Sequence, residues 1–288
     1  MPEGHTLLRL AQDLDAAFGG RRVSVTSPQG RFAESAAILD GRVLVSAESS
    51  GKHLLVDFGE DDWVHVHLGL YGRFAVWTQA GEVPAPVGAV RLRLVADGAD
   101  GSEQGTAYAD LRGATQCALI TPPERDAVLS RIGPDPLKDD ADPDRAWQRV
   151  RRSRTPIGAL LMDQSVLAGV GNVYRAEVLF RQRLHPLRPG NTLRVSQWRA
   201  VWDDLVELMA AGVRSGRIET LRPEHRAAGR ARPARRRTGQ HYVYRRDGQA
   251  CLVCGSTVRA DELAGRNLFW CPRCQPVFRS RATSGAVG

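Results

Sequence analysis

Cys251-Leu252-Val253-Cys254 and, after 16 intervening residues, Cys271-Pro272-Arg273-Cys274 form the most specific pattern in this 288-residue chain. Two CxxC pairs at that separation match the zinc spacing C-x2-C-x15–20-C-x2-C. Each pair is a tight turn that aims two thiolates at one tetrahedral ion. Four cysteine ligands leave no open coordination position, so the Zn2+ expected here is structural and not catalytic. Disulfides are the alternative, and an intracellular chain disfavours them. The segment is too short to build a core of its own, and the metal takes that place. The fifth cysteine, Cys117, stands alone in an apolar context and reads as a small core residue.

Outward from the cysteines, Tyr242-Val243-Tyr244 and Leu268-Phe269-Trp270 suit two short hairpin strands. The ribbon carries Arg259, Arg266 and Arg273, a basic surface suited to gripping DNA. Residues 222–240 hold seven arginines and one glutamate among Gly and Pro, which reads as a mobile loop. Residues 276–288 read as a tail. Further upstream the pattern is helical. Trp147, Val150, Ile157, Leu160, Leu161, Val178, Leu179 and Phe180 supply apolar faces, and residues 196–213 form another amphipathic helix. Leu167-Ala168-Gly169-Val170-Gly171-Asn172 interrupts them. Two glycines so close let the backbone turn and expose successive N–H groups, an anion site when a helix begins beside them. Asn172 reads either as a phosphate donor or as a plain helix cap.

The first half reads differently. Leu7, Leu10, Ala11, Leu14, Ala17 and Phe18 recur at helical spacing, and Gly19-Gly20 ends that helix. From about residue 22 to 120 the chain reads as short strands separated by glycine turns, the pattern of a β-sandwich or barrel. Lys52 sits in a Gly51-Lys52 hairpin turn. Leu68-Gly69-Leu70-Tyr71-Gly72 places two large apolar side chains between glycines, either as wedges for a base stack or as packing on the sandwich. Asp110-Leu111-Arg112-Gly113 reads as a turn ending in a cation. Residues 121–145, rich in Pro and Asp, end this region and link it to the helices.

The net charge of +8 favours an anionic partner, nucleic acid before membrane surface. No apolar run approaches the ~20 residues of a bilayer span, and no leader pattern is visible. A soluble, cytoplasmic protein is the expectation. Among 40 basic residues only Lys52 and Lys138 are lysine, and an ammonium exchanges protons where a guanidinium does not.

The chain begins Met1-Pro2-Glu3-Gly4-His5. Once Met1 is removed, Pro2 becomes a secondary amine able to attack a carbonyl-type carbon, with the Glu3 carboxylate beside it for proton transfer. The amine lies near a helix start, whose positive dipole end favours the uncharged, reactive form. The plainer reading is that Pro2 permits Met1 removal and starts a helix.

Taken together these blocks resemble the Fpg/Nei family of DNA glycosylases over nearly the whole chain. The resemblance rests on Met1-Pro2-Glu3-Gly4 and on Arg131-Ile132-Gly133-Pro134-Asp135-Pro136. It rests equally on Met162-Asp163-Gln164 with Leu167 to Tyr174, and on Phe269-Trp270-Cys271-Pro272-Arg273-Cys274-Gln275. It implies a multidomain α+β fold: an N-terminal β-sandwich with flanking helices (1–125), a linker (126–145), and a helix-two-turn-helix domain with a basic loop (146–240). A four-cysteine zinc finger (241–275) and a tail (276–288) complete it. It also implies a chemistry, in which the damaged nucleotide is flipped out, Pro2 attacks the sugar C1′, and Glu3 handles protons. The strand is then cut by β,δ-elimination. Lys52 matches the family's hairpin lysine. Arg266 matches the finger arginine that binds phosphate and is assigned to δ-elimination. Asn172, Arg131 and Arg112 match DNA-contacting positions, and Leu70 and Tyr71 the wedge.

Several positions depart from the family pattern. Gly69 stands where the Nei branch has Gln, Gly113-Ala114 follow Arg112 where Fpg enzymes carry an apolar residue, and His5-Thr6 replace the usual Pro-Glu. The overall pattern is similar to the actinobacterial Nei2-like endonuclease VIII group. The expected function is a bifunctional glycosylase/AP lyase of base excision repair favouring oxidised pyrimidines. An Fpg-type enzyme for oxidised purines and a non-catalytic damage binder are the alternatives. The expected partner of a monomeric protein is double-stranded damaged DNA, with single-stranded or bubble DNA as further substrates.

Overall fold

The computed structural model describes residues 2–79, 81–96, 105–230 and 240–279. The expectations for Met1, for the arginine run 231–239 and for the tail 280–288 lie outside the described residues. The chain divides into two compact units, Met1–Leu137 and Lys138–Gly288.

The first unit opens with α1 (Gly4–Phe18), which buries Leu7, Leu10, Leu14 and Phe18 along one stripe. Ten strands follow: β1 (Arg21–Arg22), β2 (Ser24–Thr26), β3 (Val43–Leu44), β4 (Ser46–Ser50), β5 (His53–Asp57), β6 (Trp63–His67), β7 (Arg73–Gln79), β8 (Val90–Ala96), β9 (Thr106–Arg112) and β10 (Gln116–Ile120). Two four-stranded antiparallel sheets result, in the orders β10-β6-β5-β4 and β2-β8-β9-β7. Leu54, Val56, Val64 and Val66 from one sheet join Leu92, Leu94, Ala109 and Leu111 from the other in a single core. The alternation of β5 and β6 puts His53, Leu55, His65 and His67 on the opposite face. That face is covered as well, since Leu55 and His65 are buried.

Part of the cover is α3 (Pro122–Ser130), which begins at a Thr121–Glu124 capping box with Pro122 in its first turn. Its Arg125 lies over the Trp63 ring and pairs with Glu48. The stretch read from composition as the start of a linker is therefore a helix.

The first unit differs from the expectation at two further places. Residues 22–120 are not all strands, because α2 (Ala33–Leu39) interrupts them. Its helix-forming residues bury Ala36 and Leu39 three positions apart. Asp110 and Arg112 belong to β9 and not to a turn, and Asp110 is buried between Arg93 and Arg112.

The second unit is helical: α4 (Pro143–Val150), α5 (Ile157–Leu160), α6 (Asn172–Arg181), α7 (Val195–Ser215) and α8 (Pro223–Arg230). Trp198, Val201, Leu205 and Met209 form the inward stripe of α7. Asp204 of α7 takes Arg181 of α6 in a bidentate pair. Helix α8 occupies residues read as loop; Pro223 and Glu224 are favourable first-turn residues that the arginine count concealed.

The hairpin β11 (Arg259–Leu263) and β12 (Arg266–Trp270) confirms Leu268-Phe269-Trp270 as strand. Tyr242-Val243-Tyr244 is not one. The N–H groups of these three residues all point at the Glu177 carboxylate, at 2.7, 2.8 and 2.8 Å, so no strand partner can take them.

Candidate active site, nucleic-acid interface and metal centre

Pro2 is half-buried and stands two residues before α1. Glu3 is the N-cap, with extended backbone at φ −125° and ψ 175°, and is fully buried. The Glu3 carbonyl accepts the Thr6 N–H at 2.8 Å, which closes the first turn. His5 is buried against the same end. Burial first, and the positive charge of the chain start second, lower its pKa from 6.5 to about 4. It is an uncharged imidazole at neutral pH and adds no cation beside the amine.

Lys52 follows Gly51, whose φ of 58° makes the tight reversal between β4 and β5. Asp135 Oδ2 accepts the Gly51 N–H at 2.7 Å. Next to this turn lie three histidines. His53 Nδ1 is 2.8 Å from His65 Nε2, and the His53 and His67 rings lie 5.3 Å apart. Burial, then the neighbouring imidazoles and Lys52, lowers the His53 pKa to about 4; burial also lowers His65 and His67. His65 Nδ1 is buried with no hydrogen-bond partner among the described residues. The tautomer with His65 Nε2–H donating to His53 leaves a bare lone pair there instead of an orphaned N–H.

The wedge turn has a defined build. Leu70 is 40% exposed and Tyr71 90%. Thr115 Oγ1 is 2.9 Å from the His67 carbonyl, which can only accept, so the hydroxyl donates there and accepts from His67 Nδ1 at 3.0 Å. The Thr115 N–H donates to the same carbonyl at 3.0 Å. The turns around Leu70 and Gly113 are thereby tied together. Gly69 lies at φ 67°, and a Cβ there would come within 2.4 Å of Thr115 Cγ2. A side chain at this position would strain the backbone and press on Thr115, so glycine suits the turn as built here.

Arg112 is braced from two sides: its NH2 group donates to Asp110 of the same strand at 2.8 Å and its Nε to the Val87 carbonyl of the loop before β8 at 2.9 Å. Arg131 is exposed at the C-cap of α3.

In the second unit the glycine turn is built by Gln164. Its amide nitrogen donates to the carbonyls of Met162 and Val170, and its oxygen accepts the Gly169 N–H, all at 3.0 Å. Gly171 is the N-cap of α6, and Asn172 is the first helical residue, not the cap. Asn172 Nδ2 donates to the Asn267 carbonyl at 2.9 Å, and its Oδ1 accepts from Arg175. Arg175 is fully buried and donates to the Asn267 carbonyl as well, at 2.9 Å. The hairpin tip Ala264-Gly265 and the exposed Arg266 are thus anchored one residue away, at Asn267. Glu177, two residues after Arg175, is also fully buried.

Sγ atoms of Cys251, Cys254, Cys271 and Cys274 all lie within 4.8 Å of one another, with Cys254–Cys271 at 3.4 Å and Cys251–Cys274 at 3.9 Å. A tetrahedral zinc with ~2.3 Å bonds needs sulfurs about 3.8 Å apart. The donor set and its spacing fit a structural metal. Gln275, fully buried, accepts the Cys271 N–H at 3.0 Å and donates to the Leu184 carbonyl at 2.8 Å, fixing the second knuckle to the helices.

Sequence reading missed the histidine trio, Asp135, Arg175 and Glu177. All but Asp135 left a signal. His65-x-His67 alternates in a strand, and Arg175 and Glu177 interrupt an otherwise apolar helix.

Three family descriptions match the chain in order: the formamidopyrimidine-DNA glycosylase N-terminal domain over 1–117, its H2TH domain over 132–222, and the zinc finger found in FPG and IleRS over 248–277. The chain belongs to the Fpg/Nei family of DNA glycosylases, enzymes of base excision repair. It is 53% identical to Endonuclease 8 1 of Mycobacterium tuberculosis, over 96% of this chain and all of that one. It is 33% identical to Probable endonuclease 8 2 of Streptomyces coelicolor, over 96% of this chain and 94% of that one. The fold matches that of Lactococcus lactis Fpg in complex with DNA containing an abasic site, with a TM-score of 0.75 at 21% identity. That match covers 95% of this chain and 99% of the other. Among the described residues no helix is long and apolar enough to cross a membrane.

Proposed function

We propose that this protein is a bifunctional DNA glycosylase/AP lyase that removes oxidised bases, pyrimidines foremost, from double-stranded DNA through Pro2. The observation that carries the reading is the juxtaposition at the chain start. A proline precedes α1 with a fully buried carboxylate, Glu3, as its neighbour and an uncharged imidazole, His5, close by.

After removal of Met1, the Pro2 nitrogen lone pair attacks C1′ and the base departs with the glycosidic electrons, taking a proton. Glu3 manages protons at the sugar and base, and Lys52 assists from its hairpin. The nitrogen then gives up its proton, and its lone pair opens the sugar ring by breaking C1′–O4′, with O4′ taking a proton, to leave an iminium. The iminium acidifies the C2′ proton; its loss expels the 3′ phosphate, a second elimination expels the 5′ phosphate, and water releases the amine. Arg266 and Asn172 hold phosphates, and Arg131 and Arg112 add contacts. Leu70 and Tyr71 fill the gap left by the flipped nucleotide. Cys251, Cys254, Cys271 and Cys274 would hold zinc, which would crosslink the finger. The protein acts as a monomer in the cytoplasm. Its domains run 1–125, 146–240 and 241–275, with 126–145 as the link and 276–288 as the tail.

The test is borohydride trapping on lesion duplexes with protein whose first residue is verified by mass. Wild type forms a covalent adduct with 5-hydroxyuracil and abasic duplexes, and Pro2→Gly loses at least about tenfold, on the scale of a lost catalytic group. No adduct from a protein lacking Met1 defeats the enzyme reading in favour of a damage binder. A clear preference for 8-oxoguanine moves the substrate to oxidised purines.

A further inference from the structure

Asp135 is the one acidic residue of the segment 131–136, and Gly51 lies 84 positions before it. Its carboxylate reaches two backbone donors, the Gly51 N–H at 2.7 Å and the Leu137 N–H at 3.0 Å. The residue is only 6% exposed. A carboxylate taken out of water is held only where strong donors replace its hydration. Here one of those donors is the apex of the turn that carries Lys52.

The turn needs such a holder. Pairing between β4 and β5 ends at Ser50 and His53, so Gly51 and Lys52 stand beyond the ladder. Glycine has the widest conformational range of any residue, and Gly51 uses its left-handed region. A two-residue hairpin favours glycine at its first central position, so local geometry sets the turn type. The Gly51 N–H lies outside the ladder, and its buried charge-assisted hydrogen bond to Asp135 ties the tip to a second segment of the chain.

We propose that Asp135 is a positioning residue for Lys52, holding the Gly51-Lys52 turn in the one conformation that presents the lysine amine to the reacting sugar. The inference rests on the role given to Lys52 above. Leu137 is held by the same carboxylate through a local contact two residues long. Of the two bonds, the one to Gly51 is long-range and bears on the site.

Asp135→Asn keeps the shape but removes the charge and turns one oxygen into a donor, which weakens the hold on Gly51 whichever way the amide faces. The experiment is a cycle of Asp135→Asn and Lys52→Gln, read by single-turnover excision of 5-hydroxyuracil and by the Kd for a tetrahydrofuran abasic-analogue duplex. Asp135→Asn is expected to slow excision about tenfold, the scale of a sub-ångström misplacement, and to leave the Kd within about twofold. In the Lys52→Gln background it is expected to do nothing more.

Equal slowing in both backgrounds, or a loss of binding parallel to the loss of rate, overturns the positioning role and leaves the function of Lys52 intact. Unchanged excision by Lys52→Gln alone overturns the role of Lys52 and this inference together. Should the substitution unfold the protein, the Gly51 amide in the wild type decides. A proton bonded to a carboxylate shifts with the titration of Asp135, and one that does not shift sinks the proposal.

Discussion

Two hairpin tips carry the proposed chemistry, and they are built on opposite principles. Lys52 follows Gly51 at φ 58°, and Arg266 follows Gly265 at φ 69°. Each cation thus stands beside a left-handed glycine, and each tip is held from outside its own ladder. The Lys52 tip belongs to a sheet backed by a large apolar core, and a buried anion, Asp135, takes its N–H. The Arg266 tip belongs to a two-stranded ribbon whose β11 is almost wholly exposed. An isolated two-stranded ribbon is marginal in water. A buried cation and an amide, Arg175 and Asn172, take the Asn267 carbonyl, and four cysteines converge at the ribbon's base. The first tip thus stands on a core-backed sheet with one buried anion as its anchor, whereas the second stands on a thin ribbon with the cysteine site and buried polar anchors at its base.

Metal removal should separate the two most strongly. Structural zinc contributes on the order of 10 kcal/mol to a finger's folding. Stripping the ion, or Cys274→Ser, is expected to abolish hydrogen-exchange protection in β11 and β12 and to weaken DNA binding by more than about 100-fold, the metal being the ribbon's main crosslink. Protection in β5 and β6 is expected to stay. Persistence of DNA affinity in fully metal-free protein would show that the ribbon stands without its crosslink.

Acid should act on the first tip's sheet through its buried histidines. His5 and His53 both have folded pKa values lowered to about 4, chiefly by burial, against 6.5 for the ordinary group. The unfolded chain therefore binds more protons between those values. Stability is complete above about pH 6.5, falls by up to about 1.4 kcal/mol per pH unit for each group on acidification, and levels off below about pH 4. Exchange protection in β5 and β6 should follow that slope. His53→Asn should make it shallower, and an unaltered slope in that variant removes the histidine cluster as the cause.

The smallest effect belongs to the glycines. A Cβ at Gly265 meets open space, so Gly265→Ala meets backbone strain alone and is expected to cost roughly 1 kcal/mol in denaturant unfolding. At Gly69 the same substitution also strikes Thr115, so it should cost more. Equal costs at the two positions would mean that the Thr115 contact does not constrain the wedge turn.

Much of this was legible in the chain. The α1 stripe, the strands around Leu54 and Val64, the long helix with Trp198 and the cysteine quartet follow from spacing, because period and ligand geometry are local. The misreadings share one cause. Tyr242-Val243-Tyr244 has strand composition, yet Glu177, 65 positions away from Tyr242, captures its N–H groups. Asp110 and Arg112 look like a turn until Arg93 from the neighbouring strand supplies a partner. The helices at 122–130 and 223–230 lay beneath proline and arginine counts that describe composition and not capping.

Residue order alone was enough to set out most of the strands and helices, the cysteine quartet, the basic balance and the family, since each is written in composition or in spacings of a few residues. The assignment of buried charges to the turns they serve had to wait for the folded chain: Asp135 at Gly51, Arg175 at Asn267, Glu177 at Tyr242 to Tyr244. A charged group in the interior must find its partner in space, and the partner's distance along the chain leaves no local mark.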